Sequence, residues 1–199
     1  MHFAYPDQPP IANGWTCAIG PGVTHLFGDT GSGKSTLLRV LAGALPASGQ
    51  LRLNGVRLDR DPVGYRAKVF WCDPITDAFD AMTGRACTAA LGAGDSGFDD
   101  AAWQALVEGF GLAPHIDKPM FMLSTGSKRK VWLAAALASA RPLTLLDDPV
   151  AALDAPSVRC LWQALVRSAQ TRPDRAIVIA SSEPLVQVPL AASITLPPG

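Results

Sequence analysis

The apolar and polar positions of this chain follow two periods, one typical of strands and one typical of helices. Three short, nearly all-apolar runs predict strands buried on both faces of a parallel sheet, and they span residues 23–27, 143–146 and 176–180. Alternation of apolar and polar positions predicts edge strands at residues 3–11 and 50–58. Helical spacing marks residues 36–42, 101–107, 131–140 and 156–168. These elements predict an α/β fold with a mainly parallel sheet and a small N-terminal antiparallel β subdomain.

The middle of the chain differs in character from the two ends. Alanine is frequent and β-branched residues are few from about residue 77 to residue 122, which favours helices. A glycine-rich run at residues 92–97 predicts a loop, and Asp99 and Asp100 are candidates to cap the following helix. We expect a helical subdomain at about residues 77–140 within one domain of residues 1–199, because a chain of this length with 48% hydrophobic residues buries one substantial core.

A glycine-rich run lies between the first buried strand and the first predicted helix. Residues 28–35 read GDTGSGKS and fit the phosphate-binding pattern G-x-x-x-x-G-K-[ST] at every required position. Such a loop directs consecutive N–H groups at phosphates. We expect Lys34 to reach the β- and γ-phosphates and the Ser35 hydroxyl to ligate Mg²⁺. The predicted nucleotide-binding residues of this segment are Gly28, Asp29, Thr30, Gly31, Ser32, Gly33, Lys34, Ser35 and Thr36.

Two carboxylates follow the apolar run at residues 143–146. Asp147 is suited to hold Mg²⁺ through water, and Asp148 is suited to orient or deprotonate an attacking water. A solvated acidic turn is the alternative, since Asp-Asp-Pro is good turn chemistry. The phosphate loop upstream favours the functional interpretation.

A further motif, LSTGSKRK at residues 123–130, leads directly into the apolar helix at residues 131–140. By itself it is compatible with a serine-capped helix start. In the order phosphate loop, LSTGS, acidic strand and then AALD at residues 151–154, the chain resembles the ATP-binding cassette family, whose signature is written L-S-G-G-Q and whose D-loop is written S-A-L-D. The chain keeps Leu123, Ser124 and Gly126 of that signature.

The resemblance implies an ATPase subunit that binds ATP and Mg²⁺ and serves a membrane transporter whose membrane-spanning part is a separate chain. It implies a homodimer or heterodimer of cassettes in which Ser124 and Gly126 of one subunit close over the ATP held by the other. Tyr5 matches the family's adenine-stacking aromatic, and a core or edge-strand aromatic is the alternative. Within the family, the compact size and residues 124–130 are similar to the ATPases of cytochrome c maturation haem exporters.

Three positions depart from the family pattern in ways that weaken hydrolysis. Asp148 stands where the catalytic glutamate is usual, and Ser182 stands where the switch histidine is usual. Cys72 replaces the Q-loop glutamine, or Asp73 does if the alignment shifts by one residue; an aspartate there holds Mg²⁺ through water. The predicted catalytic residues are Asp148, Lys34 and Ser182, and the predicted metal ligands are Ser35, Asp147 and Asp73.

These departures predict ATP binding with slow hydrolysis. A degenerate, nucleotide-gated binding module with little or no turnover is the alternative. A small-molecule kinase is a third possibility, against which the signature and the D-loop argue. We expect the stretch of about residues 73–117 to contact the membrane subunit, with Trp71, Phe79, Met82 and Phe98 as its apolar candidates; packing in the core is the alternative for these residues.

Charge and composition narrow the partners. Lys+Arg and Asp+Glu both number 17, so no excess of positive charge favours binding to nucleic acid or to an acidic membrane surface. The apolar runs are much shorter than the roughly 20 residues that cross a bilayer, and the first residues lack the pattern of a secretory signal. Four scattered cysteines without C-x-x-C spacing predict reduced thiols. We expect a cytoplasmic protein that lies on the cytoplasmic face of the membrane through a protein partner.

Overall fold

A computed structural model of the protein describes residues 16–73 and 75–197. Its strands are β1 (Gly22–Phe27), β2 (Arg52–Leu53), β3 (Val56–Arg57), β4 (Val69–Phe70), β5 (Leu143–Asp147), β6 (Ala176–Ser181) and β7 (Leu190–Thr195). Its helices are α1 (Lys34–Leu41), α2 (Pro62–Arg66), α3 (Gly84–Leu91), α4 (Asp100–Gly109), α5 (Thr125–Ala138) and α6 (Ala155–Thr171), with a short 3-10 helix at Met120–Met122. In this described part, no helix is both long and apolar enough to span a bilayer.

The central sheet is parallel. Within the described ranges it contains five strands in the order β4-β5-β6-β1-β7, and each neighbouring pair runs in the same direction. The three predicted apolar strands are its central members β5, β6 and β1, which confirms the predicted α/β fold with a parallel sheet. Since all strands point the same way, the loops that follow β1, β5 and β6 meet at one edge of the sheet.

Both faces of the sheet are covered at its centre, which explains why the central strands β1, β5 and β6 are apolar along most of their length. One face packs against α5 and α6 through buried residues such as Ile177, Ile179 and Leu161. The other face packs against α1 through buried residues such as Val178 and Leu38. The carboxyl edge of the sheet is therefore held between α1 on one side and α5 with α6 on the other.

A small antiparallel pair, β2 with β3, lies outside the main sheet. Asn54 and Gly55 form its turn with φ of 45° and 81°, the left-handed region that a two-residue hairpin turn requires. This pair confirms the predicted small antiparallel β subdomain. Within residues 50–58 the structure has a two-strand hairpin where the sequence predicted one edge strand. The strand predicted at residues 3–11 lies outside the described residues.

Each main helix of the helical part, α3, α4 and α5, begins at a polar N-cap residue. Thr83 accepts a hydrogen bond from the Ala86 N–H at 3.1 Å to begin α3, and Asp99 accepts one from the Ala102 N–H at 2.8 Å to begin α4. Of the two predicted caps, Asp99 is therefore the one that caps α4. Helices α3, α4 and α5 supply the predicted helical subdomain, with the predicted loop at residues 92–97 between α3 and α4.

Candidate nucleotide-binding site

The glycine-rich loop connects β1 to α1 at the carboxyl edge of the sheet. Gly33 is the N-cap of α1 with φ 91°, a left-handed conformation that favours glycine, and it leaves the helix without a side-chain cap. The first N–H groups of a helix lack acceptors within the helix, so an oxygen-rich anion placed here finds donors ready. Asp29, Thr30 and Gly31 are exposed at the rim of this loop.

Two side chains of the loop can hydrogen-bond to a phosphate group. The Lys34 ammonium folds back over the loop and donates to the carbonyl oxygens of Gly28 and Asp29, both at 2.7 Å. The Ser32 hydroxyl is buried and has no hydrogen-bond partner among the described residues. An unpartnered buried hydroxyl beside a lysine in a glycine-rich loop fits the binding of a phosphate chain.

Asp147, at the end of β5, lies beside the first turn of α1. Its carboxylate accepts a hydrogen bond from the Ser35 hydroxyl, and the side chain is half-buried. Burial raises the pKa of Asp147, and the Ser35 hydrogen bond opposes that rise. One hydroxyl and one carboxylate make an oxygen donor set of the kind that Mg²⁺ takes together with phosphate oxygens and water. Among the described residues no cluster of three or more His, Cys, Asp or Glu side chains forms a metal site of protein groups alone.

Asp148 and Ser182 lie at the same edge, each exposed directly after a central strand. Asp147 pairs with Ala180 in the β5–β6 register, and the Asp148 N–H donates to the Ala180 carbonyl oxygen at 2.9 Å. The main chain therefore brings the two predicted catalytic positions, Asp148 and Ser182, to neighbouring strand ends. Asp148 has φ 41°, an uncommon backbone conformation for a residue with a side chain.

The two candidates for the Q-loop position differ in their surroundings. Burial raises the pKa of the Cys72 thiol far above its ordinary value, so this side chain is a neutral thiol and a poor ligand for Mg²⁺. The Asp73 carboxylate is engaged by Arg39 of α1 at 3.1 Å and accepts a hydrogen bond from the Ile75 N–H at 3.2 Å. Of the two side chains, the Asp73 carboxylate is therefore the one suited to bind Mg²⁺. In this structure it is paired with Arg39.

The LSTGS motif forms the start of α5. Ser124 is exposed and caps the helix, because its hydroxyl oxygen accepts a hydrogen bond from the Ser127 N–H at 3.1 Å. Gly126 faces the carbonyl oxygen of Ala152 in the AALD segment at a distance that leaves no room for a side chain. The predicted signature and the predicted D-loop are therefore packed together.

An ion pair strengthens that junction. Lys130 of α5 donates to the Asp154 carboxylate at 2.7 Å, and the same carboxylate caps α6 by accepting from the Ser157 N–H at 2.8 Å. The hydrogen bonds from Lys130 and Ser157 hold the pKa of the Asp154 carboxyl well below its usual range. Asp154 therefore joins the signature helix to the helix that follows the D-loop.

Other residues singled out from the sequence lie elsewhere. Tyr5, the candidate adenine-stacking residue, is outside the described residues. Thr36 is buried on α1, one position after Ser35. Arg129 was not identified from the sequence, although its guanidinium donates to the carbonyl oxygens of both Asp147, at 3.2 Å, and Asp148. A basic residue in LSTGSKRK was visible, but its contact depends on how α5 packs on β5.

An apolar surface accompanies the site on the helical side. Of the apolar residues named from the sequence, Met82 is exposed, whereas Trp71, Phe79 and Phe98 are half-buried and pack against the core. The structure adds three exposed residues that the sequence analysis missed, namely Ile75, Phe121 and Met122. The segment that contains Met82 is joined to the segment that contains Phe121 and Met122, because the Met120 N–H donates to the Met82 carbonyl oxygen at 2.7 Å. We call Met82, Phe121 and Met122 the apolar surface.

Comparisons with known proteins agree with this arrangement. The family model described as ABC transporter matches residues 15–151. The cytochrome c biogenesis ATP-binding export protein CcmA of Paramagnetospirillum magneticum is 36% identical over 92% of this chain and 84% of that protein. The CcmA protein of Rhodospirillum rubrum is 35% identical over 94% of this chain and 79% of that protein. A solved ATP-binding subunit of an ABC transporter has the same fold, with TM-score 0.76, 22% identity, and coverage of 90% of this chain and 76% of the other.

Proposed function

This chain belongs to the ABC transporter family of ATP-binding proteins, and from that premise we propose that it is the ATP-hydrolysing subunit of an exporter that serves cytochrome c biogenesis. ATP binding and the ATPase class follow from the family. The two CcmA relatives are named as export proteins of cytochrome c biogenesis, and this name supports the proposed kind of transporter. Their alignments cover nearly the whole of this chain, with about a third of the aligned residues identical.

The observation that carries the proposal is the meeting of Lys34, Ser35 and Asp147 at one edge of the sheet. Lys34 would supply positive charge for the terminal phosphates of ATP. The N–H groups at the start of α1 would donate to the other phosphate oxygens. Ser35 and Asp147 would hold Mg²⁺, Asp147 through water. When bound, Mg²⁺ would supply positive charge that neutralises the phosphate oxygens.

Hydrolysis depends on a water that attacks the terminal phosphate, and Asp148 is the carboxylate available to orient it. An aspartate is one methylene shorter than a glutamate, and a displacement on the order of 1 Å at a reacting group costs about 10²-fold in rate. Ser182 cannot carry a positive charge toward the developing oxyanion. These two substitutions support slow turnover by an enzyme whose binding groups are complete.

Assembly with a second cassette is the next part of the proposal. Ser124 is exposed at the N-terminus of α5, where its hydroxyl and the adjoining N–H groups are accessible to a nucleotide bound by another subunit. The contact of Gly126 with Ala152 keeps the signature and the D-loop together, so both would meet the partner cassette as one surface.

ABC ATP-binding subunits work with separate membrane subunits, and the apolar surface is the part of this chain best suited to that contact. Phe121 and Met122 are 64% and 61% exposed, and Met82 is 40% exposed, which is unusual for adjacent large apolar side chains. Met82 lies within the stretch of about residues 73–117 expected to contact the membrane subunit, and Phe121 and Met122 follow shortly after it. A chain attached in this way would lie on the cytoplasmic face of the membrane.

A second candidate function is a nucleotide-gated module that binds ATP and regulates its partner without meaningful turnover. It is favoured by the Q-loop region, where the Cys72 thiol is neutral and Arg39 occupies the Asp73 carboxylate. Both candidates require ATP binding, and they differ in the rate of hydrolysis in the presence of the membrane fraction.

The test begins with ATP titration calorimetry of Lys34→Ala beside Lys118→Ala, a matched variant of an exposed lysine in the helical part. We expect Lys34→Ala alone to weaken ATP binding by one to two decades, since a charge-assisted hydrogen bond is worth roughly 1.5–3 kcal/mol. Equal affinities in the two variants would refute the assigned site. Hydrolysis that rises when membranes are added supports the transporter ATPase, and hydrolysis that stays at background supports the regulatory module.

A further inference from the structure

Asp148 is held in a backbone conformation that it does not adopt readily. Its φ is 41°, in the left-handed region where residues with a Cβ are uncommon. It also precedes Pro149, and a residue before proline is normally restricted to extended conformations with negative φ. Such a conformation persists only when neighbouring groups fix it.

The groups that fix it surround the two peptide units on either side of the Asp148 Cα. The Asp148 N–H donates to the Ala180 carbonyl oxygen at 2.9 Å, and the Asp148 carbonyl oxygen accepts from the Ala151 N–H at 3.1 Å. Arg129 contributes the side-chain part, because Nη1 of its guanidinium donates to the carbonyl oxygens of both Asp147 and Asp148.

The two carbonyl oxygens bound by Arg129 belong to the peptide units on either side of the Asp148 Cα. The peptide unit of Asp147 precedes the Asp148 Cα and that of Asp148 follows it, so φ and ψ of Asp148 are the rotations that relate the two. A donor that binds both oxygens restrains both rotations. Arginine is suited to this because its guanidinium is planar, carries several donors and stays charged.

Arg129 is itself fixed by the helix that carries it. It lies in α5, whose following residues Val131–Ala138 are all buried, and whose first residues are fixed by the Ser124 cap. The guanidinium therefore connects the signature helix, an element packed in the core, to the backbone of Asp148. A change in the angle of α5 would be transmitted to that backbone through the guanidinium.

We infer that Arg129 is a positioning residue for hydrolysis, which acts by fixing the backbone of Asp148 and thereby the direction of its carboxylate. The inference rests on the proposed role of Asp148. It makes Arg129 necessary for turnover and dispensable for ATP binding, because its hydrogen bonds are to the main chain of residues 147 and 148. Its charge also lowers the pKa of the Asp147 carboxyl, but less than the hydrogen bond from Ser35 does.

The test compares Arg129→Met, which keeps the length of the side chain and loses its donors, with Arg129→Lys, which keeps one charged donor group. Arg159→Met is the matched control, because Arg159 is exposed on α6. Single-turnover hydrolysis and ATP affinity are measured for each. We expect Arg129→Met to lower the single-turnover rate by about tenfold with ATP affinity within about twofold of wild type, and Arg129→Lys to recover part of the rate.

The same substitution in the Asp148→Asn background separates a positioning role from a general structural one. If Arg129 acts through the Asp148 carboxylate, Arg129→Met has no further effect once that carboxylate is removed. An equal fall in both backgrounds, or no fall in either, would overturn the inference. If Asp148→Asn alone leaves turnover unchanged, the proposed role of Asp148 fails instead. Should Arg129→Met fail to give the wild-type circular dichroism spectrum, Arg129→Leu, which also has no hydrogen-bond donor, replaces it with the same outcomes.

Discussion

Gly126 of the LSTGS motif lies against the carbonyl oxygen of Ala152, so closely that a methyl group at position 126 would overlap that oxygen. Ala152 has φ 61°, which turns the AALD segment back toward α5. Two motifs whose contacting residues are 26 positions apart in the sequence are therefore in direct contact. The glycine is needed because the main chain of the second motif occupies the space of a side chain.

Substitution of this glycine tests the contact. Gly126→Ala should lower the free energy of unfolding by about 1–3 kcal/mol, the usual range for an added methyl group in a packed site. Gly20→Ala is the control, because a methyl group at position 20 meets no atom of the described residues within 4 Å. Urea unfolding of the two variants decides the matter. Equal midpoints for Gly126→Ala and Gly20→Ala would show that the AALD segment moves aside at no cost.

Assembly is tested at Ser124. With a non-hydrolysable ATP analogue, light scattering should show the mass of the wild-type chain doubling, since the exposed start of α5 is proposed to close over a second subunit's nucleotide. Ser124→Arg should abolish the doubling, because it places a bulky side chain in that contact. Ser96→Arg, at an exposed serine in the loop before α4, should dimerise like wild type. A chain that stays monomeric at every analogue concentration would contradict the head-to-tail homodimer.

The apolar surface predicts the behaviour of the chain toward its membrane subunit. Phe121→Ser combined with Met122→Ser should remove the membrane protein that co-purifies with the chain, while ATP affinity stays within about twofold, because both side chains are exposed and belong to neither the phosphate loop nor the Asp147 strand. Val63→Ser is the control, since Val63 is 78% exposed on α2, away from the apolar surface. Retention of the membrane protein by the double variant would place the contact elsewhere.

The central part of the fold was predictable because its physical cause is local. Strands β1, β5 and β6 are buried on both faces, so each is a continuous apolar run that the sequence displays directly. Strand β7 was missed because it lies at the edge of the sheet with most of its residues exposed, so LAASIT carries no comparable pattern. Strand β4 was missed because two residues are too few for a period.

The site divides in the same way. Lys34, Ser35 and Asp147 follow from motifs with fixed spacing, whereas the contacts of Arg129 and Asp73 depend on tertiary packing. Arg129 reaches residues 18 and 19 positions away, and Asp73 pairs with an arginine 34 positions away. The exposure of Phe121 and Met122 was equally hidden, since hydrophobicity predicts burial and only the fold shows which apolar residues remain outside.

The central claim is that this chain hydrolyses ATP with Asp148 as the carboxylate that acts on water. Asp148 is exposed beside Asp147, whose own side chain is engaged with Ser35, so removal of the Asp148 charge leaves the binding groups in place. The direct measurement is the single-turnover rate of Asp148→Asn beside that of wild type, with ATP affinity measured on the same samples. The account predicts a rate lower by about 10²-fold, the scale of general base catalysis, with affinity within about twofold. An unchanged rate with unchanged affinity would contradict it and would favour the nucleotide-gated module.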